Sequence, residues 1–191
     1  MKAEDATDAG ICGACGLCCD GLLFSHVEVT LEEEPAMRRH RLPLFEQGAV
    51  RAFAQPCAAH HGDHCAAYAD RPEPCADYRC NLLRCVDAGE TGRAQALSRV
   101  AEARALVDGL RALVRPASDD GAPPRNLWDA LAAQIAADGP PADTLEGRRA
   151  HQVLLLKSGA VEGFLRRHFH RDLGQSRPPR SDAPRSDRER A

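Results

Sequence analysis

Four cysteines stand within eight residues, in the order Cys12-Gly-Ala-Cys15-Gly-Leu-Cys18-Cys19. A two-residue gap lets a tight turn aim two sulfurs at one metal, and Gly13 and Gly16 give the backbone freedom for such turns. The same crowding makes a poor disulfide framework, because so short a chain cannot span unstrained bridges. Cys18 and Cys19 are adjacent and project differently, so one ion does not easily take all four sulfurs. The arrangement points to two neighbouring sites, or to a multinuclear cluster completed from elsewhere. Downstream, Cys57, Cys65, Cys75 and Cys80 follow with gaps of seven, nine and four residues. Eight thiols satisfy two four-coordinate zinc ions, or one or two iron–sulfur clusters. The first three match the opening Cys-x2-Cys-x2-Cys of ferredoxin-type runs, but Cys19 follows at once, where that pattern has a three-residue gap and then Cys-Pro.

The compartment decides how these thiols are read. Met1 to Gly10 is acidic and polar with no apolar segment, so no secretory signal is expected. Val153 to Leu156, the longest purely aliphatic run, is far too short to span a bilayer. The expected location is the cytoplasm, where thiols stay reduced and a cysteine cluster reads as metal-binding. The count of nine cysteines agrees, since an odd number cannot pair completely within one chain. The net charge of −3 gives no reason to expect nucleic acid or an anionic membrane as partner. Lys2 and Lys157 are the only lysines, so the arginine count reflects a compositional bias and carries little argument.

The full motif is Cys-x2-Cys-x2-Cys-Cys, then Cys57, then Cys65-x2-Tyr68-x2-Arg71-Pro72-x2-Cys75-x2-Tyr78-x-Cys80. It resembles the CxxCxxCC zinc- or iron-chelating family of bacterial proteins, the YkgJ-type cysteine-cluster proteins. Flagellin lysine methylases carry a similar cluster, and for them an iron–sulfur centre is implied. The resemblance covers Cys12 to Cys80, somewhat over a third of the chain. It implies chelation of zinc or iron by Cys12, Cys15, Cys18, Cys19, Cys57, Cys65, Cys75 and Cys80, and no defined reaction. The run His60-His61-Gly62-Asp63-His64 departs from an all-cysteine pattern.

Composition divides the chain into three zones: a cysteine-cluster domain over 1–91, a helical region over 92–173, and a tail over 174–191 built from Arg, Pro, Ser and Asp. The tail has nothing to bury and is expected to be disordered. The fold expectation is mainly α, with an irregular metal-stapled cysteine-rich unit and a small β contribution. Phe24 to Val29 alternates and reads as a short strand. Thr30 and Glu33 fit a capping box for a short helix to about Arg41, with Pro35 in its first turn if the helix starts later. Pro56 to Cys85 shows no period and reads as a loop that needs an external staple. Val100, Ala103, Val107, Leu110 and Val114 mark one face of a helix from about Arg93 to Arg115. Asn126 caps a second helix through about Ala137, stopped by Gly139-Pro140-Pro141. Thr144 caps a third, with Ser158-Gly159 as a point where it splits. Aromatics make up only 4%, so the core must come from Leu, Val and Ala, and Trp128 reads as the anchor of its helix.

Other side chains have lesser roles. Tyr68 and Tyr78 are placed to hydrogen-bond ligand sulfurs or to pack over them, and Arg71 to compensate thiolate charge. His60, His61 and His64 read as a solvated polar loop before metal ligands, since the thiols already suffice. Cys85 reads as an ordinary thiol. His168 and His170 sit where a helix end favours a cation, which fits capping or surface roles. No Ser-His-Asp, Gly-x-Ser-x-Gly or His-Glu-x-x-His pattern is present, and no glycine-rich nucleotide loop follows a strand. The leading expectation is therefore a metal-binding protein without evident catalysis. An iron–sulfur redox or radical enzyme, or its accessory subunit, comes second. A zinc-finger nucleic-acid module comes last, because residues 12–80 lack a dense basic stripe.

Overall fold

The computed structural model describes residues 10–62, 64–115, 126–139 and 144–170. The expected disordered tail lies outside the described residues. The fold is mainly α with two small antiparallel sheets. Residues 10–15 are helical (α1) and lead straight into the cysteine knuckle. Then come β1 (His26–Glu28), α2 (Glu34–Arg39), β2 (Leu44–Gln47) and β3 (Val50–Ala54). The cysteine-rich stretch carries β4 (His60–His61), β5 (His64–Cys65), a 3-10 turn at Tyr68–Asp70, α3 (Glu73–Ala76) and α4 (Asn81–Asp87). Three longer helices follow: α5 (Arg93–Arg111), α6 (Leu127–Asp138) and α7 (Leu145–His168).

Capping chemistry sets several of these bounds. Thr30 and Glu33 form the reciprocal pair, with the Thr30 N–H donating to Glu33 Oε2 at 2.9 Å and the Glu33 N–H to Thr30 Oγ1 at 3.4 Å. The regular helix nevertheless begins at Glu34 with Pro35 in its first turn, so both readings of this segment hold together. Asn126 Oδ1 accepts from the N–H groups of Trp128 and Asp129, and Thr144 Oγ1 from Gly147. The second and third long helices thus start at their expected caps.

Three expectations need correction, and two strands were not foreseen. Helix α5 ends at Arg111, with Ala112 as its C-cap, and Leu113 and Val114 continue as a turn rather than to Arg115. Helix α7 runs unbroken through Ser158-Gly159, where Ser158 Oγ bonds back to the Leu155 carbonyl within the helix. Residues 56–85 are not a bare loop but hold β4, β5, α3 and α4. Strands β2 and β3 escape the sequence reading because each is five residues or fewer and they are separated only by Gly48-Ala49. Gly48, with φ +61°, opens that two-residue hairpin turn, a position that favours glycine.

The sheet order is β1-β3-β2, all antiparallel, with Val27 opposite Phe53 and Leu44 also opposite Phe53 in the other pairing. One face of it packs with Met37 of α2, Leu42, Ala59 and Ala67 into a small core. A larger core joins α5, α6 and α7 with α4 and with Ile11, Leu17 and Leu22 of the N-terminal segment. Residues on both sides of position 91 thus share one helical core. Its centre is the α5–α7 contact, with Val107, Leu110, Val161, Leu165 and Phe169 all buried. Trp128 anchors α6 by packing on this core and donating from Nε1 to the Leu22 carbonyl at 3.2 Å.

Leu165 is 1% exposed at this junction. Leu165→Ala is expected to cost about 2–5 kcal/mol through lost burial and a residual cavity. Urea unfolding followed by circular dichroism measures it, and a cost within experimental error would contradict this core.

Candidate metal centre

The cysteines divide between the two cores. Cys80 belongs to the helical core, with Cys12 and Cys15 packed against it. Cys57, Cys65 and Cys75 pack against the smaller sheet core. Cys18 and Cys19, joined by one peptide bond, stand between. Electrostatics gives the same division. Burial pushes the Cys15 thiol up to about 12, and Cys80 and Cys12 add to the rise. Burial raises Cys18 well above the usual thiol range, helped by Cys15, Cys80, Cys19 and Cys12. Cys19 is pushed up to about 12 by burial, then by Cys57, Cys65, Cys75 and Asp20. Cys75 also reaches about 12, through burial and then Cys57 and Cys65. One set is therefore Cys12, Cys15, Cys18 and Cys80. The other is Cys19, Cys57, Cys65 and Cys75. Each set draws on both distant stretches of the sequence.

All eight thiols line a single cavity of about 1350 Å³ between the two cores. None of the nine cysteines forms a disulfide. Cys85 is absent from that cavity and lines a separate one of about 190 Å³. Among the described residues, no group of three or more Cys, His, Asp or Glu side chains is arranged to hold a metal ion as it stands.

The knuckle is positioned by backbone and arginine contacts. Gly16 adopts φ +64°, and its N–H donates to the Cys12 carbonyl at 3.0 Å, which closes α1. Arg104 of α5 reaches the C-terminal end of α1 and donates from Nη1 to the Cys15 carbonyl at 2.8 Å. Its charge also favours the Cys15 thiolate. The Cys57 N–H donates to the Cys19 carbonyl at 2.7 Å, which ties the later loop to the knuckle. In the second set, Glu33 Oε1 accepts from the Glu73 N–H at 2.7 Å and so caps the short helix carrying Cys75. Partial burial of Glu33 opposes ionisation, but the N–H groups of Thr30 and Glu73 outweigh it and hold the carboxyl below its usual range.

Tyr68, Arg71 and Tyr78 line the cavity. The Arg71 guanidinium lies 3.8 Å over the Tyr68 ring, its Nε donates to the Tyr68 carbonyl, and its charge favours the Cys75 thiolate. Tyr78 meets Phe24 edge-on at 4.6 Å between ring centres.

The histidines need a correction. His60 is not a solvated loop residue: its side chain is 8% exposed, and Nδ1 lies 3.6 Å from Asp20 Oδ1. Its ring presses on Gly16 so closely that a Cβ there would stand 2.7 Å from His60 Cε1. His60 Nε2 is buried without a hydrogen-bond partner. Asp20 is backed in turn by Arg111 Nη2 at 3.4 Å. His61 and His64 are exposed, as read from the sequence. His168 and His170 are not favoured as cations, because burial and then neighbouring arginines lower their pKa values.

Sequence reasoning missed Asp20, Glu33's bond to Glu73, and Arg104. Asp20 is flagged by adjacency to Cys19. Arg104 has no local signal, since it acts on the knuckle from 89 residues away.

The donor set fits a thiophilic metal: eight sulfurs in two sets of four, with cationic side chains beside each set. No family model, curated protein or solved structure matches the chain. Among the described residues, no helix is long and apolar enough to cross a membrane.

Raised thiol pKa values have a signed consequence for the metal-free, reduced protein. The folded state keeps protons on Cys15, Cys19 and Cys75 up to about 12, whereas the unfolded chain loses them near the ordinary value of 9.0. Between these values the folded state binds more protons, so stability falls as pH rises. Thermal unfolding of the metal-free form across pH 8 to 11 is expected to show a declining midpoint. A midpoint that rises over this window would contradict the burial of these thiols.

Proposed function

We propose that this chain is a metal-binding protein with two neighbouring four-thiol centres, Cys12/Cys15/Cys18/Cys80 and Cys19/Cys57/Cys65/Cys75. The supporting observation is that the two hydrophobic cores sort six of the thiols three and three, and the electrostatic neighbours of Cys18 and Cys19 add one of these to each group. Burying so many thiols together is otherwise unfavourable for any ionised state. A bound metal reverses that, because it takes the thiolate form and supplies the compensating charge. Binding at each set releases up to four protons. The metal also staples residues 56–80 to the knuckle, so its removal loosens the first zone.

Iron–sulfur clusters are the better-supported occupants. A tetrahedral zinc site with bonds of about 2.3 Å holds its sulfurs roughly 3.8 Å apart. Here the eight thiols line a cavity of about 1350 Å³, which leaves room for the bulk of a cluster. A cluster gives each iron its own thiolate and brings inorganic sulfide as bulk. Two centres separated only by the Cys18–Cys19 peptide would also suit electron transfer. That proximity supports a redox or accessory-subunit role as the second reading.

Anaerobic purification with iron, sulfide and zinc analysis tests this. Brown protein with stoichiometric iron and sulfide is expected. Colourless protein holding zinc would replace the cluster with zinc, and protein with neither would end the proposal. Cys80→Ser and Cys75→Ser should each lower metal content by about half, whereas Cys85→Ser should leave it unchanged. Equal effects of all three would contradict the two-set assignment. Glu33→Ala frees the N–H groups of Thr30 and Glu73, and is expected to speed chelator stripping of the second set severalfold while sparing the first. Stripping rates followed by absorbance in the Cys80→Ser and Cys75→Ser backgrounds separate the two, and unchanged rates in both would exclude Glu33 from a positioning role.

A further inference from the structure

The hairpin between Cys57 and Cys65 presents two exposed imidazoles, His61 and His64, and His64 stands at the rim of the thiol cavity. In β4 and β5, His60 pairs with Cys65 and His61 with His64. Successive residues on a strand point to opposite faces, so the two pairs face opposite ways. His60 is buried against Gly16, while His61 and His64 are exposed. The His61 and His64 rings stand 5.6 Å apart between centres, tilted by 46°. Two imidazoles that share one ion at about 2.1 Å from each nitrogen place their ring centres roughly 5 to 6 Å apart. Directly opposed partners on a strand pair hold this spacing without chain rearrangement. Imidazole nitrogen favours late first-row divalent ions, and water completes a two-ligand site.

We propose that His61 and His64 form an external, exchangeable site for a divalent transition-metal ion, and that this site loads the second thiol set. His64 also lines the thiol cavity, and its chain neighbour Cys65 belongs to that set. An ion held by the pair therefore sits on the same short hairpin as its destination. A weak imidazole site at the rim captures the ion from water, and the thiolates then outcompete it. The loading role rests on the proposed thiol centres; the binding of an ion by the histidine pair does not.

The test uses the full chain with its thiol-bound metal in place, titrated with Ni²⁺ alone and read by calorimetry. One equivalent beyond the thiol-bound metal is expected, and it should vanish in the His61→Gln/His64→Gln double variant. Equal Ni²⁺ binding by both proteins, or none by either, overturns the site. Unchanged thiol-bound metal at equilibrium shows that the variant is folded. For loading, reduced metal-free protein is mixed anaerobically with Fe²⁺ and thiolate–iron absorbance is followed in time. The double variant is expected to fill several-fold more slowly to the same final level. Equal rates would overturn the loading role. If the wild type forms no thiol-bound metal, the failure lies with the thiol centres, and the Ni²⁺ titration still decides the histidine pair.

Discussion

Buried sulfur that cannot ionise by itself is the constraint on which the molecule turns. Burial pushes the Cys15, Cys19 and Cys75 thiols up to about 12 and raises Cys18 well above the usual thiol range. Such a cluster tolerates one of two conditions: protons on sulfur, or cations between sulfurs. Arg104 and Arg71 ease the charge at one thiol in each set, but neither offsets the burial. The rest of the fold places the two sets. The helical core holds one and the sheet core the other, and the cavity is the space where they face.

The longer helices were legible because their signals are local and repeated. A stripe at steps of three and four, an asparagine or threonine cap, and a proline stop each act within a few residues. Asn126 and Thr144 cap as their residue types require. Ser158-Gly159 misleads because glycine in a helix costs only about 1 kcal/mol, which the buried face of α7 outweighs through Leu154, Val161 and Leu165. The sheet was mostly hidden. Its strands are three to five residues long, and β3 is held by partners on both sides rather than by any pattern of its own.

For the site, spacing named the residues but not the division between them. Local gaps group Cys12, Cys15, Cys18 and Cys19 together, and that is where reading by sequence alone stops. Three-dimensional placement separates Cys19 from its neighbours and gives Cys80 to the opposite set. The histidines show the same limit. His60 and His61 are neighbours in sequence, yet strand alternation buries one and exposes the other.

The two sets are reciprocal. One takes three sulfurs from the knuckle and one from afar; the other takes one from the knuckle and three from afar. Neither can be completed by a single stretch of chain, and both must close the segment running from Cys19 to the later cysteines. The entropy of closing that loop is largely spent by whichever centre assembles first. If metal binds as proposed, the second centre would form across ends already held together, so filling one centre would favour filling the other.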